Sequence, residues 1–373
     1  MIAEQPNAIM RESERFFKVA SQSGHGTYDV TRKQNGSYLC TCPDFTYRSV
    51  ISSHGQLLRC KHIIACQIRY EMREKVRENI VIKPVEVTTC LFCHGTDLKK
   101  FGLRHNKYGD IQRFLCADCH RTFSVNLGFE RMKHNPQGIT TAMQLYFSGE
   151  SLRNTARSLR LLGVQVSYQT IYNWIEKYTA LMEKYLDKIT PNVSDTWRAD
   201  ELFLKVRGNM KYLYALMDDQ TRFWIAQEVA DTKYSADIRP LFKQGKIIAD
   251  KNPQTLITDG APNFHEAFND EFYTAKLATR PEHIRDIRFD GTVHNNKMER
   301  MNGEIRDRER VMRTLEKTDS PILKGMEIYH NYVRPHMALN GKTPAEAAGI
   351  KVKGDNKWVT LIQNANVKVG KKA

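Results

Sequence analysis

No stretch of eighteen or more apolar residues occurs in the chain, and its opening, MIAEQPNAIMRESERFF, has neither a basic start nor an apolar run behind it. The expectation is a soluble, cytoplasmic protein with no membrane partner. Acidic residues are in short supply: 42 Asp and Glu face 57 Lys and Arg, for a formal net charge of +15. Such an excess favours a polyanion through counterion release, with nucleic acid ahead of an anionic membrane surface. There is no internal repeat and no low-complexity tract beyond the ending KVGKKA, so residues 351–373 read as a basic tail. Cysteine is sparse, eight in 373 residues, but it arrives in close pairs. In a reducing compartment such pairs are metal ligands sooner than disulfides.

At this length two to four domains are expected. Residues 1–75 read as a β-hairpin, turned at Asn35-Gly36, followed by a helix. A charged connector ending at Lys83-Pro84 leads to a second cysteine-bearing module over 88–126. From 136 to 187 the period is helical, with Ser151 and Ser167 as N-caps and Gly163-Val164 in the break between two amphipathic helices. Past Pro191 the period switches to two. TWRADELFLKV, KYLYALMD and RFWIAQEV read as consecutive strands with turns at Gly208-Asn209 and Asp218 to Thr221. A helix over Ser235 to Lys243, a short strand TLITD, a helix after Pro262 and a basic helix from Asn296 to Leu315 follow.

Cys40, Cys42, Cys60 and His62 are spaced C-x-C, 17 residues, C-x-H, a complete tetrahedral set for one structural zinc. This module resembles the SWIM zinc finger. Cys66, one helical turn beyond His62 in an apolar run, reads as a buried hydrophobe. Cys90, Cys93, Cys116 and Cys119 give C-x-x-C twice, 22 residues apart, and resemble the zinc ribbons at the front of insertion-sequence transposases. His94 and His120 each follow a knuckle and read as solvent-side residues. Four protein ligands leave no open position for water, so both zinc ions are expected to be structural. Lys99, Lys100, Arg104 and Lys107 around the ribbon offer either a DNA surface or an ordinary solvated face.

Two short helices with a tight break suggest a helix-turn-helix. The second would then be the recognition helix, with Gln169, Thr170 and Asn173 placed for base edges, while Arg153, Arg157 and Arg160 share one face of the first, suited to phosphates. A plain helical hairpin is the alternative.

Hydrolysis and transfer of DNA strands need two divalent cations, and hard cations want carboxylates. Asp200 lies on the first strand of the expected meander; alternation sends Asp200 and Glu201 to opposite faces. Asp259 ends the strand TLITD, where Gly-Ala-Pro forces a turn. Glu299 opens the arginine-loaded helix HNNKMERMNGEIRDRERVMR, and Glu304 competes with it, about 140° further round. The order of these motifs, with YHNYVRPHMALNGKTPAEAAGI closing the chain, resembles the DDE transposases of prokaryotic insertion sequences, within the retroviral-integrase superfamily. Arg334, Pro335, His336, Thr343, Pro344 and Glu346 carry the last motif.

That resemblance implies an α/β fold: a ribonuclease H-like core of mixed sheet and flanking helices over 192–350, preceded by the zinc-stapled modules and the helical domain. It implies Asp200, Asp259 and Glu299 as ligands of two Mg²⁺ or Mn²⁺ ions, with Arg300, Arg306 and Arg308 as a DNA clamp. It further implies double-stranded DNA as partner, both element ends and target, and at least a homodimer. The gap from Asp259 to Glu299, 39 residues, is a few longer than in many relatives. The SWIM-like module lies outside the family's usual pattern. Two alternatives stand beside this reading: a DNA-binding regulator without catalysis, and a ribonuclease H-like nuclease that only hydrolyses.

Overall fold

In residues 9–40 apolar side chains alternate, and the computed structural model places them in four antiparallel strands in sequential order, β1 (Ile9–Ser13), β2 (Phe16–Ala20), β3 (Thr27–Arg32) and β4 (Tyr38–Cys40). The structure describes the chain except residues 1–8, 14–15, 22–25, 34–36, 52–58, 69–78, 107–108, 125–126, 131, 276–279, 286–294, 313–314, 316–317 and 371–373. The turn expected at Asn35-Gly36 lies outside the described residues. One hairpin was expected here; β1 and β2 add a second because Phe17 and Val19 bury on the same face as Val30. Helix α1 (Pro43–Ile51) and a helix over 61–68, α2, close this small core with Phe45, Ile63 and Cys66.

Strand β5 (Ile80–Ile82) precedes a three-stranded antiparallel sheet of β6 (Leu98–Asn106), β7 (Gly109–Cys116) and β8 (Thr122–Ser124). Three helices follow: α3 (Pro136–Phe147), α4 (Leu152–Leu161) and α5 (Tyr168–Leu186). Each begins at a side-chain cap that accepts an otherwise orphaned N–H: Asn135 from Gly138 at 2.7 Å, Ser151 from Asn154 at 3.1 Å and Ser167 from Thr170 at 3.1 Å. Gly163, at φ +79°, turns the break between α4 and α5.

The main sheet contains β9 (Thr196–Val206), β10 (Asn209–Asp218), β11 (Trp224–Ala230), β12 (Thr255–Ile257) and β13 (Glu282–Ile284), in the order β11-β10-β9-β12-β13. β10 and β11 are antiparallel, while β12 runs parallel to both β9 and β13. This mixed order is the ribonuclease H-like arrangement. The first hairpin turns at Arg207-Gly208, one residue earlier than expected, both residues having positive φ as a two-residue hairpin turn requires. Helix α6 (Ser235–Ala249) runs past Lys243 because Gly245 and Ala249 continue its buried stripe. A Cβ at Gly245 would lie 2.4 Å from Leu216 on the sheet. Helix α7 (Pro262–Phe272) starts on its proline.

Helix α8 (Asn296–Met312) is followed by α9 (Pro321–Ile328), a single wide turn over Tyr329–Val333, α10 (Pro344–Ala347), β14 (Ile350–Val352) paired to β5, and α11 (Lys357–Gly370). The expected basic tail over 351–373 is therefore corrected. Trp358, Leu361, Ile362 and Ala365 recur at helical spacing and are buried, with Trp358 stacked on Phe147 of α3 at 5.6 Å. The chain forms two compact units, one of residues 1–80, 190–204 and 210–302, the other of 81–189, 205–209 and 303–373. Residues 303–350, expected within one domain over 192–350, thus fold with the helical residues, where α9 lies against α5. Among the described residues no helix is long and apolar enough to cross a membrane.

Candidate active site and metal clusters

The parallel register of β12 on β9 pairs Ile257 with Arg198, so two residues further on Asp259 comes level with Asp200. Asp200 is buried, and Asp259 is exposed just past the strand end, where its carboxylate accepts from the Ala261 N–H at 3.1 Å. Three donors hold Asp200: the Glu201 N–H on one oxygen at 2.9 Å, and the Asn302 and Asn295 amides on the other at 2.9 and 3.3 Å. Burial, then the charge of Asp259 and to a smaller extent those of Glu299 and Glu201, push the Asp200 carboxyl up to about 7.

Alternation predicts that Asp200 and Glu201 separate, and the structure overturns this: carboxylate oxygens of Asp200, Glu201 and Asp259 all lie within 4.8 Å of one another. The Asp200 carboxylate turns along its strand toward the Glu201 N–H, so the pleat no longer parts the two acids. Glu201 also carries Lys233 at 2.6 Å, and the Lys233 ammonium sits 5.2 and 5.0 Å from the Phe203 and Tyr212 ring centres. Glu299 is exposed in the first turn of α8 and is not among the carboxylates of that cluster, although its charge acts on Asp200. Lys297 and Arg198 both bond Asp219, tying the start of α8 to the β10–β11 turn. Burial alone would raise the Asp219 carboxyl, but these two cations hold it below the ordinary range. Asp218 is a turn former, accepting from Ser194 and Thr221.

Gly260 closes the strand tip at φ +89°, and a Cβ there would lie 2.5 Å from the Arg285 carbonyl oxygen. Gly260→Ala is expected to cost about 1–3 kcal/mol of stability and to displace Asp259; a melting temperature equal to that of the wild type would show that the turn tolerates a side chain.

Glu304 faces a different set. Its carboxylate bonds His330 Nδ1 at 3.2 Å and Arg334 at 2.6 Å, and His336 completes a group that sequence reasoning missed. Burial would raise the Glu304 carboxyl, but His330, Arg334 and His336 hold it down, whereas burial and His330 push His336 down to about 4. The signal lies in YHNYVRPH, whose two histidines and arginine are the partners of Glu304.

Arg300 and Arg306 are exposed on α8, but Arg308 is not a surface clamp. It is 3% exposed, donates to the Glu150 carbonyl at 2.9 Å and covers the Tyr146 ring at 3.9 Å. The guanidinium satisfies the carbonyl just past the end of α3 and stacks on an aromatic, which draws it inward. On α5, Gln169 and Asn173 are exposed and bond each other at 3.0 Å, while Thr170 is half-buried with its hydroxyl on Ser167. Arg153, Arg157 and Arg160 are exposed on α4, opposite buried Thr155 and Leu159.

Both cysteine clusters converge. Cys90 and Cys119 sulfurs lie 3.6 Å apart and those of Cys93 and Cys116 3.5 Å, too far for disulfides and close to the spacing of about 3.8 Å that four thiolates take around zinc. His94 and His120 are exposed and close each knuckle at φ +60° and +56°. His62 Nδ1 lies 3.9 and 4.0 Å from Cys40 and Cys60, with Cys42 in the same group. Cys66 stands outside it, fully buried, and burial pushes its thiol up to about 12.

The DDE domain family matches residues 194–336, the stretch that holds Asp200, Asp259 and the two candidate glutamates of α8, Glu299 and Glu304. The transposase for insertion sequence-like element IS431mec of Staphylococcus aureus is 29% identical over 217 residues, 57% of this chain and 91% of the relative. The chain belongs to the DDE transposases of insertion sequences. A second relative of this chain, the insertion element iso-IS1N protein InsA of Shigella dysenteriae, is 32% identical over 84 residues, 22% of this chain and 87% of InsA. The HTLV-2 integrase catalytic core domain in complex with magnesium aligns at 19% identity, over 43% of this chain and 98% of its own, with a TM-score of 0.32.

Proposed function

We propose that this transposase binds the terminal inverted repeats of a mobile element and catalyses metal-dependent cleavage and transfer of its DNA strands. The observation that supports this is the meeting of Asp200, within β9, and Asp259, just past the end of the neighbouring parallel β12, with Glu299 in the first turn of α8, inside the matched DDE domain. Crowded carboxylates, with Asp259 bonded among the described residues to the Ala261 N–H, fit hard divalent cations, two Mg²⁺ or Mn²⁺. Such ions, when bound, activate the attacking oxygen and stabilise the leaving one. Asp200, Asp259 and Glu299 would hold them, with Glu201 beside them. Asn295, Asn302 and the Glu201 N–H preset the Asp200 carboxylate, and the bond of Lys297 to Asp219 sets the first turn of α8. Lys233, gripped by Glu201 between two rings, offers a fixed positive charge to a phosphate.

In this reading water hydrolyses one phosphodiester at each element end, and the 3′-OH so released attacks target DNA. Gln169, Thr170 and Asn173 read base edges, while Arg153, Arg157, Arg160, Arg300 and Arg306 meet phosphates. Cys40, Cys42, Cys60 and His62 hold one structural zinc, and Cys90, Cys93, Cys116 and Cys119 another. Two ends joined in concert call for at least a dimer. The test is strand cleavage and joining on a labelled duplex carrying the element's own terminal repeats. Joined products with Mg²⁺ and none with EDTA are expected; specific binding without cleavage in any divalent metal would leave a DNA-binding regulator instead.

A further inference from the structure

Beyond the strand-cutting chemistry, a second site lies in the unit that holds α3, α4 and α5. A cavity of about 750 Å³ opens there, within the range of about 300–1,000 Å³ usual for small-molecule sites. Three arginines line it, Arg153, Arg308 and Arg310, together with Tyr146, Tyr168 and Tyr172, and no described lining residue is acidic. We propose that this cavity binds a single phosphorylated nucleotide.

Arg308 carries the argument. Its side chain is 97% removed from solvent, one nitrogen donates to the Glu150 carbonyl, and the plane rests on Tyr146. Nε and Nη2 remain buried with no hydrogen-bond partner among the described residues. A buried guanidinium with two unmet donors is an anion-binding fork, and its geometry matches two oxygens of one phosphate. Arg153 adds a second positive charge at the rim, where it lies 5.6 Å from the Tyr168 ring centre. Tyr168 is 48% exposed and offers an aromatic face of the kind on which bases stack. The cavity is far larger than a phosphate, so a base and sugar account for the remaining space and for the tyrosines.

Two sources share this chemistry, a free nucleotide and an unpaired nucleotide of a DNA strand. Calorimetric titration of the full, zinc-loaded chain with no Mg²⁺ or Mn²⁺ added separates them by comparing AMP, a 5′-phosphorylated trinucleotide and adenosine. Binding of AMP or the trinucleotide in the millimolar range or tighter is expected, with adenosine at least about tenfold weaker. AMP alone would identify a free nucleotide and the trinucleotide alone a strand. Arg308→Gln and the rim variant Arg153→Gln should each weaken binding about tenfold or more, and Arg153 is exposed enough that its loss leaves folding intact. Asp259→Ala should bind as the wild type does, so failure of the carboxylate reading and failure of this one are distinguishable. Failure of both phosphorylated ligands to bind, equal binding of adenosine, or unchanged affinity in Arg153→Gln would overturn the proposal.

Discussion

Asp259→Ala should lower strand joining at least about a thousand-fold, roughly 4 kcal/mol of transition-state stabilisation, while leaving the melting temperature unchanged. The separation of the two effects follows from where Asp259 sits. It is exposed beyond the end of β12, and its carboxylate accepts from the Ala261 N–H, which the turn can return to water. Asp200 is a poorer probe because it is buried under two asparagine amides, so its removal would disturb Asn295 and Asn302 as well. The third acid can be tested on the same footing. Glu299→Gln should match the loss at Asp259 with no loss of stability, since Glu299 is exposed in the first turn of α8. Glu304→Gln should behave oppositely. It weakens the bonds to His330 and Arg334, so it should lower the melting temperature before it lowers joining. Joining abolished in Glu304→Gln at wild-type stability, with Glu299→Gln active, would exchange the two roles.

Asp200 and Asp259 were legible in the sequence because their positions follow from local patterns. An alternating run containing Asp200 and a short apolar run stopped by Gly-Ala-Pro after Asp259 each define a strand and its end. The caps at Ser151 and Ser167 were legible for the same reason. What escaped depends on partners remote in sequence. Arg308 sits in a run of charges that looks like a solvated helix face, and only the fold brings Tyr146 and the Glu150 carbonyl to it. The basic ending disguised α11, whose buried stripe of Trp358, Leu361, Ile362 and Ala365 outweighs its flanking lysines. Strand alternation misplaced Glu201 because it describes where a Cβ points, and a carboxylate can bend back along its own strand. The bond from Lys297 to Asp219 likewise joins segments that no spacing rule connects.

Removing the zinc proposed for the ribbon should unfold that module while the main sheet survives. The apolar core of β6, β7 and β8 comprises Cys90, Cys116 and Phe123, with Val87, Leu98, Phe114 and Cys119 only partly buried against it. Two of the three buried members are themselves proposed ligands, so little apolar burial remains once the ion is gone. Structural zinc contributes about 10–16 kcal/mol in small domains of this kind, more than such a core can replace. Cys116→Ser should therefore expose residues 88–126 to protease and lower the zinc content by one ion per chain. Trp197 and Trp224, fully buried in the main sheet, should keep their native fluorescence because their packing lies in the other unit. Joining should fall with the ribbon if that module helps to hold element ends. A ribbon that resists protease after demonstrated loss of its zinc would mean that the four sulfurs converge for packing alone.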